Sequence, residues 1–174
     1  MRKRKMFVWL AGASAAITLM AGITPAHSSP SVVTAVGPLS DLSTGANATD
    51  GARAQVYAVA PGNGNTYIYL ILTGLDPAVA GTTYGAHVHI GPCVAGNGSL
   101  ALGHYNTGTG GPPSPQNEVW LDFTVRPGGV GVSRAIVPFE IAPGAAGSVV
   151  IHANATQPGT GIAGERIACL PVEF

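Results

Sequence analysis

Turn residues punctuate this chain every ten or so positions, which leaves little room for a helix of ordinary length. The runs "RAQVYAVA" and "TYIYLILTGL" flank "PGNGN", and "RPGGVG" separates "EVWLDFTV" from "RAIVPFEI". Alternating side chains within these runs have the period of a strand. The Asn63-Gly64 pair supplies the positive φ angles that a tight hairpin needs. Further strands are expected at "TYGAHVHI", "SVVIHA" and "RIACLPVEF". With 25 glycines and 14 prolines in 174 residues, the pattern predicts an all-β Greek-key sandwich or barrel of about eight antiparallel strands. The stretch from Val94 to Asn117 carries no strand signal and is longer than a connection in a compact domain should be, so it is expected to be functional or unstructured.

The opening "MRKRKMFVWLAGASAAITLMAGITPAHSS" has a basic head, an apolar run from Met6 to about Ile23 and then small residues. Residues 1–26 therefore read as a secretory signal peptide cut after Ala26, with a cut after Ser28 as the alternative. The run is also about long enough to act as an uncleaved anchor. Residues 27–46, rich in Ser, Pro, Gly and Thr, read as a tether with one strand near Val32 to Val36, and residues 47–174 as one domain. Cleavage removes Arg2, Lys3, Arg4 and Lys5, leaving four arginines against eight acids, 4 − 8 = −4, and no lysine. Such a chain offers no footprint for nucleic acid, and no membrane contact is expected after cleavage. The expected location is secreted, periplasmic or at the cell envelope, where Cys93 and Cys169 would be joined in a disulfide.

"YGAHVHIGPC" places His87 and His89 two residues apart. In a strand that spacing puts both imidazoles on one face, about 6.6 Å apart, with Val88 turned to the core. Two more histidines follow, His104 in "LGHYN" and His152 at the end of "SVVIHA". Four imidazoles suit copper, zinc, nickel or iron, and the absence of thiolate ligands favours copper or zinc.

The segments "GAHVHIGPC", "GHYN", "SVVIHA" and "AGERIAC", in that order, resemble the copper/zinc superoxide dismutases. The resemblance is dense over residues 84–106 and 148–172 and loose elsewhere. It implies that His87 and His89 are paired copper ligands, His104 the histidine shared between copper and zinc, and His152 the last copper ligand. It also implies a bridge between Cys93 and Cys169, and an anion-guiding role for Arg166. Without the resemblance, a salt bridge to Glu165 or a surface position is the favoured reading of Arg166.

Two departures stand out. Between His104 and His152 there is no histidine to complete a zinc site, and one carboxylate with one shared imidazole cannot close a tetrahedron. Asp122 is then a remnant of the zinc site or a partner behind a copper ligand, and zinc binding is not expected. The segment from His152 to Arg166 is also short and carries one acid, Glu165. Both features resemble the copper-only branch of the family. Without zinc, His104 needs another partner for its second nitrogen, either Asp122 or a backbone carbonyl.

His27 would head the mature chain, but a copper brace at that end needs a different fold context. Tyr67, Tyr69, Trp120 and Phe123 are expected to pack strands. Asn47, Asn97 and Asn154 each begin an Asn-x-Ser/Thr triplet, which matters only in a glycosylating host. The expected function is an exported copper-dependent superoxide dismutase acting on superoxide. The alternatives are a copper-binding or copper-delivery module on the same scaffold, and a purely structural β-domain.

Overall fold

The hairpin expected around Asn63-Gly64 joins β3 (Arg53–Ala60) to β4 (Thr66–Thr73), paired antiparallel from Arg53↔Thr73 to Val59↔Tyr67. Gly62 and Gly64 in its turn take φ of +85° and +82°, angles that a Cβ disfavours. Ala54, Val56 and Ala58 on β3, with Ile68, Leu70 and Leu72 on β4, all turn to the buried side. Each of the larger ones contributes about 1.5–3 kcal/mol by leaving water.

The computed structural model describes residues 29–108 and 110–174; the leader at 1–26 and His27 lie outside them. β1 (Ser31–Pro38) and β8 (Val130–Val137) complete a first sheet in the order β1-β3-β4-β8. The second sheet, β2-β10-β9-β6, consists of β2 (Ser40–Asp41), β6 (Ala86–His89), β9 (Ser148–His152) and β10 (Arg166–Pro171). A two-residue pair, β5 (Thr83–Tyr84) with β7 (Phe123–Thr124), stands apart. After β4 the chain crosses to the second sheet and returns to place β8 beside β4, a Greek-key path. Both sheets stay open, so the fold is a sandwich and not a closed barrel. Val56, Leu70, Val88, Ile151 and Leu170 belong to the core between them. Among the described residues there are ten strands, more than the expected eight because β2, β5 and β7 are only two residues long.

The tether reading of residues 27–46 needs correction. β1 pairs along the whole of β3, from Ser31↔Ala60 to Pro38↔Arg53, and β2 pairs with β10. The segment therefore contributes to both sheets, and Leu42 just after it is buried. The strand expected near Val32 to Val36 is present as β1, where the alternation half-buries Val33 and Ala35, and Pro38 is tolerated because β1 is an edge strand.

"EVWLDFTV" also departs from expectation. It runs beside β6 through single bridges such as His87↔Trp120, and only Phe123–Thr124 forms a ladder. The alternation survives: Val119, Leu121, Phe123 and Val125 are buried in the core, so Glu118, Trp120 and Asp122 turn to the opposite side.

Cys93 and Cys169 form a disulfide with a Cα–Cα distance of 5.6 Å across a sequence separation of 76. Closing a loop of that length is worth about 4 kcal/mol in the chain-entropy model. The bridge fastens the start of the long loop to β10. Among the described residues no helix is long and apolar enough to cross a membrane.

Candidate metal centre

β6 is buried on both faces. Val88 enters the core between the sheets, whereas His87 and His89 turn outward and are nevertheless fully buried. Part of the cover comes from the long segment between Val94 and Asn117. Residues 101–105 run antiparallel along the free edge of β6, with Gly91 N–H donating to the Ala101 carbonyl at 2.9 Å and Tyr105 N–H to the Val88 carbonyl at 2.8 Å. That pairing seats His104 opposite His89. Gly91 permits the approach: a Cβ there would lie 2.1 Å from the Leu100 carbonyl oxygen. On the other edge β9 pairs with β6 and carries His152 at its end. His87, His89, His104 and His152 thus come together, each offering a ligand atom within 4.8 Å of the others.

Hydrogen bonds assign the proton on each ring. His89 Nδ1 lies 3.2 Å from the Leu102 carbonyl and His152 Nδ1 lies 3.2 Å from the Gly164 carbonyl; a carbonyl only accepts, so both Nδ1 atoms carry the proton. His104 Nδ1 lies 2.9 Å from Glu118 Oε2 and donates to it. The Thr156 hydroxyl gives its hydrogen to Asp122 Oδ1 at 2.6 Å, so it accepts from His87 Nε2 at 2.7 Å. The atoms left with lone pairs are His87 Nδ1 and the Nε2 atoms of His89, His104 and His152. His87 Nδ1 is buried without a partner, and His89 Nε2 faces His152 Nε2 at 3.3 Å with no proton assigned between them. Four histidines whose ligand atoms lie within 4.8 Å of one another, with the second nitrogen of each ring hydrogen-bonded elsewhere, could hold a metal cation.

Electrostatics agree with the geometry. Burial is the first cause that lowers all three of the most enclosed imidazoles, with the other histidines adding to it: His87 to about 2, His89 to about 3 and His152 to about 4. All three are therefore neutral ligands at ordinary pH.

Arg166 is half-buried at the start of β10 and donates to the Gly98 carbonyl at 2.6 Å and to the Leu102 carbonyl. Leu102 thus accepts from both His89 and Arg166, which places the guanidinium beside the cluster. Its backbone, at φ 59° and ψ −148°, lies in a region that side chains rarely adopt; strain of about 1–3 kcal/mol is the usual cost. No contact to Glu165 is needed to hold Arg166.

Asp122 sits behind His87, not His104. Its two oxygens accept from the Thr156 hydroxyl and the Thr156 backbone N–H, and Oδ1 is 3.9 Å from His87 Nε2. The partner of His104 is Glu118, which the sequence reading missed. Glu118 Oε2 also accepts from Trp120 Nε1 at 2.8 Å, so Trp120 serves this carboxylate and does not simply pack a strand. Glu118, Trp120 and Asp122 share one side of an extended segment, and that two-residue spacing was the available signal. Thr156 carried no signal.

No family model matches the sequence, and no curated protein matches it. Solved structures do match, 32 chains in all. One is the crystal structure of the clock protein EA4, similar with a TM-score of 0.59 at 16% identity over 85% of this chain and 96% of that one. The likeness is one of fold.

Proposed function

We propose that this chain is an exported copper-dependent superoxide dismutase that works without zinc. The observation that carries the proposal is the convergence of four lone-pair nitrogens within 4.8 Å, with every remaining ring proton held by a named acceptor. All-imidazole ligation suits copper, whereas zinc has no redox chemistry to offer superoxide. His104 Nδ1, where a shared zinc would attach in the resembling enzymes, is instead committed to Glu118.

His87, His89, His104 and His152 would hold the copper, which would supply a one-electron redox couple able to oxidise one superoxide to dioxygen and, with two protons, reduce the next to hydrogen peroxide. The chain's own residues do the rest. Glu118 holds a proton on His104 Nδ1 and leaves Nε2 as the basic atom at the centre. Thr156, fixed by Asp122, does the same for the opposite nitrogen of His87. Arg166 uses one N–H on each of two nitrogens for loop carbonyls, so its other donors remain for an anion. The mature net charge of −4 repels superoxide only weakly at physiological salt, where fields are screened within about 8 Å. A single guanidinium beside the cluster then dominates the approach.

Elemental analysis of the purified mature protein tests the proposal at its base. About one copper and far less than one zinc per chain is expected, together with loss of activity in His152→Ala. Stoichiometric zinc retained alongside copper after dialysis contradicts the zinc-free reading.

A further inference from the structure

The side chains that oxidants attack first are nearly absent from this chain beyond its leader. All three methionines, Met1, Met6 and Met20, lie in the leader, as does Trp9. Cys93 and Cys169 are joined to each other, so no free thiol remains among the described residues. With thioether and thiol both missing, the indole of Trp120 is the most easily oxidised group left, and it stands at the metal centre. Its ring centroid lies 6.0 Å from that of His87, and its Nε1–H donates to Glu118 Oε2 at 2.8 Å. The same oxygen accepts from His104 Nδ1 at 2.9 Å. Two of the four clustered histidines are thus in touch with the indole, one through the rings and one through a shared carboxylate. Among the described residues no tyrosine or phenylalanine ring packs against any of the four. Trp120 is half-buried, and its neighbours Val119 and Leu121 are fully buried, which anchors the backbone that carries it.

We infer that Trp120 is an electron relay that spares the histidine ligands from peroxide, a role that rests on the proposed function because peroxide is the product formed there. Reduction of hydrogen peroxide to two hydroxide ions breaks the O–O bond and takes two electrons. One comes from the reduced metal, which is left oxidised. If an imidazole supplied the other, a ligand would be destroyed and the metal released. The indole is easier to oxidise than an imidazole, so Trp120 supplies it. The electron leaves through the ring contact with His87, and the Nε1 proton moves to Glu118 Oε2, leaving a neutral indolyl radical and a protonated carboxylate. A proton acceptor has to lie within hydrogen-bond reach of the proton it takes, and Glu118 is already in place. Superoxide, the substrate at the same site, reverses the change: its electron restores the indole, Glu118 returns the proton, and dioxygen leaves. Where superoxide has run out, the radical has no donor and combines with dioxygen, which fixes oxygen on the indole. The protein's share is to steer a reactive by-product away from the groups that hold the metal.

Peptide sequencing by mass spectrometry after peroxide treatment of the copper-loaded mature protein, with Trp120→Phe beside it, tests the inference. Excess peroxide both reduces and reoxidises the bound metal, so no other reagent is needed, and copper content is measured first. In the wild type the added oxygen should sit on Trp120 while His87, His89, His104 and His152 stay intact. Mannitol, which scavenges free hydroxyl radical, should not protect the indole, and metal-free protein under the same peroxide should keep its indole unchanged. In Trp120→Phe, which retains a ring but lacks the oxidisable N–H, oxygen should move to the four histidines, and peroxide should speed copper loss several times more than it does in the wild type. A tryptophan that only supported the fold would alter copper retention with or without peroxide and would not collect the oxygen. Oxidised histidines beside an intact Trp120 in the copper-loaded wild type overturn the inference, as do protection by mannitol and equal oxidation of the indole in metal-free protein. A chain that holds no copper overturns the proposed function and this inference with it, whereas a copper-loaded chain with an untouched indole overturns this inference alone.

Discussion

Replacing Glu118 separates a residue that tunes the metal centre from one that only fills space. Glu118 is buried, 4% exposed, and one carboxylate oxygen accepts from His104 Nδ1 at 2.9 Å and Trp120 Nε1 at 2.8 Å. Glu118→Ala strands two buried N–H donors, at about 1–3 kcal/mol each. The sum, about 2–6 kcal/mol, is a large share of the 5–15 kcal/mol typical of a whole domain. Glu118→Gln keeps an oxygen in reach and loses only the charge, which costs about 1 kcal/mol. For the metal, losing a partner behind a ligand typically weakens affinity about 10- to 100-fold. Glu118→Gln should therefore bind copper about tenfold more weakly with its fold intact, and Glu118→Ala should fall further on both counts. A chelator competition titration reads the affinity, and denaturant unfolding of the metal-free protein reads the stability. If both variants lose stability by these amounts yet bind copper as tightly as wild type, Glu118 is a structural carboxylate and does not set the tautomer of His104.

Three further outcomes follow from the same geometry. His87, His89 and His152 titrate near 2, 3 and 4 in the folded protein against about 6.5 when unfolded, so the unfolded chain binds more protons between those values. Stability of the metal-free protein should be full above pH 6.5 and fall as pH drops toward 4, by up to about 1.4 kcal/mol per pH unit for each imidazole; identical denaturant midpoints at pH 7 and 4.5 would contradict this. Arg166→Ala should slow the bimolecular reaction with superoxide about tenfold at unchanged copper content, Arg166→Glu more and Arg166→Lys least; three variants as fast as wild type would make Arg166 a surface residue. Free-thiol titration of the unreduced, denatured exported protein should find none, whereas two titratable thiols would show that the bridge between Cys93 and Cys169 does not form in the cell.

The pair His87 and His89 was legible because a strand's period of two is strict, and Val88 between them goes to the core for the same reason. His152 was legible as a polar residue ending an apolar strand. His104 could be counted among the four imidazoles, but its place opposite His89 was not legible, since it is set by a loop that pairs with the edge of β6 and no periodicity announces such pairing. Glu118 and Thr156 lay hidden: each acts through another residue, and their partners are distant in sequence, 14 positions for Glu118 and His104 and 69 for Thr156 and His87. The strand near Val32 to Val36 was legible, but that it completes the first sheet beside β3 was not, since no local pattern names a strand's partner. Tyr67 and Tyr69 have strand spacing, but spacing alone does not say which face of a sheet meets solvent.

The central claim is that the four-histidine centre turns over superoxide. Pulse radiolysis of protein loaded with one equivalent of copper measures that directly, as the decay of superoxide at substoichiometric protein. Catalytic decay should persist over many equivalents, be abolished by His152→Ala and slow as salt is added. Decay no faster than in buffer, with copper bound by all four imidazoles, would contradict it and leave a copper carrier on the same scaffold.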